Sequence, residues 1–155
     1  DAAFEGVEPD LSVIARDRNQ PEFKQTFNDY VTKRVSPLRI KMGLDKLVRV
    51  RATIDEVAKA YDVQARFLAA IWGLETNYGN YTGGKEIIPA LTTLAYDPRR
   101  SSYFRKELIN ALKILDNGDI ELHQMTGSWA GAMGQPQFMP SSYLAYAQDF
   151  DGDGG

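Results

Sequence analysis

The sequence predicts a mostly α-helical protein, because apolar residues recur at helical spacing along most of its length. Residues that start and stop helices mark this pattern, with Ser36 before Pro37 at one start and Gly118 at one end. No segment alternates apolar and polar residues as a half-buried strand does, and no internal repeat or low-complexity linker divides the chain. The 155 residues suit a single domain of ordinary size, residues 1–155.

Six helices are expected in order along the chain. Two short ones occupy about residues 10–18 and 22–34, and a long one, continuous or broken once, covers about 37–60. The next contains Glu75 and ends at the loop 77–84, which is rich in glycine and asparagine. A helix over about 87–96 precedes the last, for which Asp97 is the expected N-cap before Pro98 and Gly118 the C-terminal cap.

Composition and charge exclude several function classes. Hydrophobic residues make up 43% and charged residues 25% of the chain, which are values of a globular protein and not of a disordered or membrane-embedded one. The net charge of −3 and the scattered basic residues argue against nucleic acid binding. The absence of cysteine excludes disulfides and thiolate chemistry, and the single His123, expected in a loop, excludes a multi-histidine metal centre. No signal peptide or membrane-spanning run is present, although a leader or anchor removed before Asp1 stays open.

Glu75 is the candidate catalytic residue. Counting back from it in helical steps reaches Trp72, Ile71, Leu68 and Phe67, so the carboxyl group continues an apolar stripe. Removal of water penalises an ionised carboxylate, and a carboxyl group that keeps its proton suits a general acid working near neutrality. A solvated position at the edge of the core is the alternative for a lone glutamate near a helix end.

The segment 126–142 combines small residues with aromatic and polar ones. Glycines permit close approach of the backbone, while Ser128, Gln135 and Gln137 offer hydrogen-bonding groups beside the faces of Trp129 and Phe138. Neutral polar groups next to aromatic rings suit a sugar. A packed turn between helices is the alternative.

Three separated blocks closely resemble the lytic murein transglycosylase B family. They are Ile71–Gly79, Ala90–Tyr96 with Pro98–Arg100, and Gly127–Ser142. The resemblance implies a lysozyme-like helical core that is incomplete at the C-terminus of this chain, so that residues 1–155 form a partial catalytic domain. It also implies peptidoglycan glycan strands as partner, the bacterial periplasm or cell envelope as location, a monomer, and a membrane anchor, where there is one, outside this chain.

The activity that this resemblance implies is cleavage of the β-1,4 bond between N-acetylmuramic acid and N-acetylglucosamine. Glu75 matches the family's catalytic acid, which protonates the glycosidic oxygen and then accepts the proton of the muramyl C6 hydroxyl as a 1,6-anhydro ring closes. Ser128 and Gln137 match polar residues that line the sugar cleft, and Phe138 matches an aromatic wall. Arg99 and Arg100 match a basic pair near the site. No cofactor is needed for this chemistry.

The carboxylates of the sequence agree with a single-acid mechanism. A glycosidase that uses water or a protein nucleophile needs a second carboxylate roughly 5–9.5 Å from the first. Asp97 and Glu86 are the nearest candidates, but Asp97 is better placed as an N-cap. A hydrolytic muramidase and a non-catalytic glycan-binding module nevertheless stay open as alternatives.

The C-terminal residues resemble the start of an EF-hand loop. Asp149, Asp151 and Asp153 occupy positions one, three and five, and Gly154 occupies the required turn. The chain ends before position twelve, where a bidentate acid is expected. A Ca²⁺ site, with a calcium-responsive interaction module as the corresponding function, and an acidic tail are the two interpretations.

Overall fold

The computed structural model describes residues 2–20, 25–150 and 152, and it is 63% helical. The helices are α1 (Leu11–Arg18), α2 (Phe27–Arg34), α3 (Pro37–Ala60), α4 (Ala65–Thr76), α5 (Ile87–Tyr96), α6 (Ser101–Asn117) and α7 (Pro140–Tyr146). Two short strands, β1 (Lys85–Glu86) and β2 (Thr126–Gly127), pair antiparallel. The predicted mostly α fold is therefore confirmed. Across the described ranges, no helix is both long enough and apolar enough to span a lipid bilayer.

The chain divides into two compact units, which are described separately. The first, called the α5 unit, consists of residues 1–20 and 82–155. The second, called the α4 unit, consists of residues 21–81.

Helix α5 forms the centre of the α5 unit. Its sequence, IIPALTTLAY, is apolar on nearly every side, and such a helix is stable in water only when it is buried all round. Helices α1 and α6 pack against it, and α7 packs on α6. The core residues contributed by these elements and by the segment before β2 are Val13, Ile87, Ile88, Ala90, Leu91, Leu94, Ala95, Phe104, Ala111, Ile114 and Met125.

Helices α3 and α4 pack together in the α4 unit. Helix α3 begins as predicted, because the Ser36 hydroxyl accepts a hydrogen bond from the Arg39 N–H (3.2 Å) and Pro37 is its first residue. Val50 has non-helical dihedral angles (φ −112°, ψ 16°), which confirms the break that the sequence left open. Of the apolar residues of α3, Ile40, Leu44 and Val48 are exposed, with Val48 at 82%. Leu47, Ile54 and Val57 are partly buried.

Two helix boundaries predicted from the sequence need correction, and one strand pair was missed. Helix α6 begins at Ser101 and not at Pro98, because the Asp97 carboxylate accepts the Arg99 N–H (3.0 Å) and holds residues 98–100 in a turn. This bond lowers the pKa of Asp97. Helix α2 begins at Phe27 and not at residue 22, and residues 22–24 of the predicted helix lie outside the described residues. The strand pair was missed because two residues are too few to show alternation.

Glu107 of α6 caps the N-terminus of α7. Its buried carboxylate accepts hydrogen bonds from the Ser141 N–H (2.9 Å) and the Ser141 hydroxyl (2.7 Å). Met139, at the N-cap position, has no side-chain oxygen for this purpose. The Glu107 carboxylate of α6 therefore provides an acceptor for an N–H group in the first turn of α7 and complements the dipole of that helix.

Replacing Glu107 by glutamine is expected to lower the free energy of unfolding by about 1–2 kcal/mol, because a charged acceptor bond to a helix end is lost. Urea denaturation followed by circular dichroism measures this change. Glu121→Gln, at an exposed position, is the matched control and should change stability by less than about 0.5 kcal/mol. An equal effect of the two substitutions would contradict the capping role.

Asp10 joins α1 to β1 and makes the α5 unit sensitive to acid. It accepts from the Ser12 N–H (3.0 Å) as the N-cap of α1 and pairs with the Lys85 ammonium group (2.5 Å). The hydrogen bond from Lys85 is the largest cause that lowers the pKa of Asp10 below its ordinary value of 3.8. The stabilisation is therefore fully present above that value and is lost as the pH falls through the lowered pKa of the folded state.

Asp10→Asn should keep the cap but lose the ion pair, because asparagine is an equally good N-cap. The wild type is expected to be more stable by up to about 1 kcal/mol at pH 7, since the pair is partly exposed. This difference should shrink as the pH falls below 3.8 and through the lowered pKa of Asp10 in the folded state. Thermal unfolding of both proteins from pH 7 down through this acid range checks it, and a difference that does not change with pH would refute the assignment.

Candidate active site

Glu75 lies in the last turn of α4, and its side chain is exposed. The expectation that it sits in an apolar niche is therefore wrong for this chain. Helix α4, which packs with α3, buries a different stripe, formed by Ala69, Gly73 and Thr76, and the Tyr78 ring lies against Gly73. The stripe that leads to Glu75 stays half-exposed or exposed, with Ile71 at 54%.

The turn after Glu75 has an unusual backbone. Asn77, Tyr78 and Gly79 all have positive φ angles, of 53°, 60° and 76°. Only glycine adopts this region without cost, so the two preceding residues need support from their surroundings. Several hydrogen bonds supply it. The Asn77 N–H donates to the Gly73 carbonyl (3.1 Å), and the Gly79 N–H donates to the buried Thr76 hydroxyl (3.0 Å).

The Tyr78 side chain connects this turn to helices α3 and α4. Its ring lies edge-on to Trp72, with the centroids 5.5 Å apart and the planes at 87°. Its far end lies against Gly43 of α3 and Gly73 of α4. Asn77 adds a polar tie, because its Oδ1 accepts from the Arg39 guanidinium group (3.3 Å). Glu75 is thus exposed, while the backbone beside it is held firmly.

Ser128 shapes the loop between β2 and α7. Its hydroxyl oxygen accepts from the N–H groups of Ala130 (3.3 Å) and Ala132 (2.9 Å), and its own N–H donates to the Ala132 carbonyl (2.8 Å). Both of these acceptor contacts turn the chain back on itself. The hydroxyl hydrogen of Ser128 is then left to donate to another group.

Gln137 ties the same loop to the segment before β1. It has a φ of 53°, and its amide nitrogen donates to the carbonyls of Thr82 (2.9 Å) and Gly134 (3.0 Å). Its side-chain oxygen is the remaining hydrogen-bonding atom of the amide. The neighbouring Phe138 is half-buried and pairs with Met133 through the backbone. These contacts are those of the packed turn that the sequence left open, and the sugar-facing alternative stays a prediction.

Arg99 and Arg100 bind a common carboxylate. Asp17 of α1 forms ion pairs with both guanidinium groups, at 3.1 Å for Arg100, and its side chain is only 4% exposed. Arg100 also covers the rings of Tyr103 and Phe104, with its central carbon 5.1 and 4.9 Å from their centroids. Each of the two arginines keeps 46% of its side chain exposed. The pair therefore anchors α1 and retains accessible donors.

The predicted site residues fall into two groups. Ser128, Gln137 and Phe138 share one loop of the α5 unit, and Arg99 and Arg100 lie in the same unit, in the turn before α6. Glu75 belongs to the α4 unit.

The two candidates for a second acid differ in their surroundings. Asp97 is 6% exposed and is paired with Arg18 (3.2 Å) as well as with the Arg99 N–H. Glu86 is exposed at the N-cap position of α5. Asp97 is thus occupied by structural contacts, and Glu86 is the accessible one of the two.

The proposed calcium ligands lie at the end of the described chain. Asp149 is exposed, and its Oδ1 accepts from the Gly152 N–H (2.8 Å), whereas Asp151 and Asp153 lie outside the described residues. Carboxylate oxygens are the donors that Ca²⁺ prefers. Among residues 2–20, 25–150 and 152, no three His, Cys, Asp or Glu side chains are grouped as metal ligands.

Sequence reasoning missed two supporting residues, Asp17 and Gly43. Asp17 gives no local signal, because its partners lie more than eighty positions later in the chain. Gly43 does give one, since a glycine inside a helical pattern usually has a packing reason, which here is Tyr78.

Comparison with known proteins gives consistent matches. Residues 1–155 match the family described as "Transglycosylase SLT domain". Membrane-bound lytic murein transglycosylase B of Escherichia coli (strain K12) is 36% identical over 126 residues, which are 81% of this chain and 35% of that protein.

Solved structures agree in fold. The crystal structure of SltB3 from Pseudomonas aeruginosa in complex with NAG-NAM-pentapeptide is 47% identical, with a TM-score of 0.92 over 98% of this chain and 41% of that chain. Escherichia coli Slt35 in complex with calcium is 32% identical, with a TM-score of 0.88 over 99% of this chain and 49% of that chain. The chain spans less than half the length of each of these relatives. Since the family match covers the whole of it, the chain belongs to the transglycosylase SLT domain family.

Proposed function

We propose that this chain carries the catalytic acid of a peptidoglycan lytic transglycosylase, and that residues 1–155 act as one partial catalytic domain. The observation that carries the proposal is Glu75, an exposed carboxyl group at a firmly held helix end within a transglycosylase domain. The similarity to SltB3, which was crystallised with NAG-NAM-pentapeptide, supports peptidoglycan strands as the substrate.

In the proposed reaction, Glu75 donates its proton to the glycosidic oxygen as the bond from that oxygen to the muramyl C1 breaks. The resulting carboxylate then accepts the proton of the muramyl C6 hydroxyl, whose oxygen bonds to C1. The products are a 1,6-anhydromuramic end and a free hydroxyl on the leaving sugar, and no water is consumed. Because Glu75 is exposed, the bound glycan, and not helix α4, would exclude water from the carboxyl group.

The loop of the α5 unit supplies the proposed sugar contacts. The Ser128 hydroxyl would donate to a sugar oxygen, the Gln137 side-chain oxygen would accept from a hydroxyl or an N-acetyl N–H, and Phe138 would offer an apolar face. The exposed donors of Arg99 and Arg100 would bind carboxylates of the peptide stem.

Asp97 is buried and paired with Arg18, so it is not available as the second carboxylate that hydrolysis requires, which favours the single-acid reaction. A hydrolytic muramidase would need Glu86 or another carboxylate as its second acid. Digestion of purified cell-wall sacculi, followed by mass spectrometry of the muramic ends, separates the proposals. We expect 1,6-anhydro ends. Reducing ends would identify a muramidase, and binding without cleavage would identify a glycan-binding module.

We also propose a bacterial periplasmic or cell-envelope location, a monomeric state and, where the protein has a membrane anchor, one outside this chain. The location follows from the proposed substrate. A Ca²⁺ site at Asp149, Asp151 and Asp153 is proposed on the spacing of these acids and on the calcium complex of Slt35. Calcium would support the loop and take no part in the chemistry. Titration calorimetry with Ca²⁺ should show binding that Asp149→Asn weakens, and absence of heat would refute the site.

A further inference from the structure

The C-terminal half of helix α4 packs closely against the side chain of Tyr78. A methyl group added at Gly73 would lie 2.7 Å from both the hydroxyl oxygen and the ring carbon that bears it in Tyr78, and one added at Gly43 would overlap the same atoms. Real Cβ atoms do not approach other atoms this closely. The ring of Tyr78 therefore occupies a space that exists only because glycines face it from both helices.

Glycine lowers the stability of a helix at these two positions, and packing must offset this loss. Gly43 lies inside α3 and Gly73 inside α4, where glycine is less favourable than alanine by about 1 kcal/mol in each case. Tyr78 itself is held at a φ of 60°, a strained value for an aromatic residue. Three locally unfavourable choices thus meet at one contact, which is the pattern expected at a functional position.

The packing of Tyr78 against the two glycines bears on Glu75, which lies three residues earlier in the chain. The last turn of a helix normally frays, and Glu75 lies in that turn with its side chain in solvent. A displacement of about 1 Å at a catalytic group costs roughly a hundredfold in rate. Holding the backbone on the C-terminal side of Glu75 removes one source of such displacement.

We propose that Tyr78 is a positioning residue for Glu75, acting through the ring seated between Gly43 and Gly73. Asn77 supports it through the bond from Arg39. This inference rests on the proposed function, since it assigns Tyr78 a role in the reaction of Glu75. The hydroxyl oxygen and the ring carbon that bears it face both glycines, while the ring lies edge-on to Trp72. The role depends on the bulk of this side chain, most of which phenylalanine keeps.

The test compares variants of the full chain in sacculus digestion, with folding checked by circular dichroism. Tyr78→Ala should lower kcat by about 10- to 100-fold with little change in KM. Tyr78→Phe keeps the ring and should retain at least half of the wild-type kcat. Amide hydrogen exchange at residues 75–79 should be faster in Tyr78→Ala than in Tyr78→Phe, because the turn has lost its anchor.

A double-mutant cycle makes the test specific. Gly43→Ala should displace the ring and lower kcat by a similar factor, whereas adding Gly43→Ala to Tyr78→Ala should cause no further loss. Gly84→Ala is the control, because a methyl group at Gly84 meets no atom within 4 Å. Folded Tyr78→Ala with wild-type kcat, or additive effects of the two substitutions, would overturn the positioning role. Equal turnover by the wild type and Glu75→Gln would instead refute the proposed function.

Discussion

Replacing Glu75 by glutamine is expected to lower the rate of sacculus digestion by at least about a thousandfold. Glutamine has nearly the same shape as glutamate, but it can neither donate a carboxyl proton nor accept one from the C6 hydroxyl. A general acid or base contributes about 10²- to 10⁴-fold, and Glu75 is proposed to serve as both in succession. The rate of release of soluble muropeptides measures the effect.

Folding and sugar binding should survive this substitution. Glu75 is exposed, so the exchange removes no buried contact, and thermal unfolding should shift little. Binding to sacculi in a pull-down should be retained. Glu56→Gln, an exposed position on α3, is the control for loss of one negative charge from the same unit and should keep full activity. Comparable turnover by Glu75→Gln and the wild type would remove Glu75 from the mechanism.

Replacing Gly83 by alanine is expected to cause the largest loss of stability among the substitutions considered, about 3 kcal/mol or more. Gly83 has a φ of 104°, which L-residues rarely adopt. An added methyl group would also overlap the Gly127 carbonyl group and lie 2.7 Å from the Ser128 nitrogen. No change of rotamer can relieve a clash with backbone atoms.

The same change should disturb sugar binding, because Thr82 next to Gly83 accepts the hydrogen bond that ties down Gln137. We expect a midpoint temperature lower by about 10 °C and a raised KM for sacculi in any protein that remains folded. The adjacent Gly84→Ala is a closely matched control, since the space around Gly84 is open. If both alanine variants melted at the same temperature, the close approach of the two backbone segments would not be a source of stability.

Most helices could be predicted from the sequence because their ends carry local signals. Ser36 and Pro37 start α3, and Gly118 ends α6 in a left-handed conformation with a φ of 79°. These residues act within a few positions of themselves, so their effect is visible in a short window. Asp97 misled the prediction because the same side chain can cap a helix or close a turn, and its contact with Arg18 favours the turn.

The site was predicted less completely, because its geometry depends on distant contacts. The stripe that contains Glu75 was correctly placed on a helix, but α4 buries a different face, on which the side chain of Tyr78 lies against Gly73. Likewise, the ion pairs of Arg99 and Arg100 with Asp17 join segments far apart in the sequence. Periodicity identifies which residues share a face, and only packing decides which face is covered.

The central claim is that Glu75 drives an attack by the substrate's own hydroxyl group and not by water. Digestion of sacculi in water enriched in the heavy oxygen isotope tests this directly by mass spectrometry of the muramic ends. The account predicts ends that carry no isotope and are one water molecule lighter than a reducing end. Muramic ends that carry the heavy oxygen at C1 would contradict it and would establish hydrolysis.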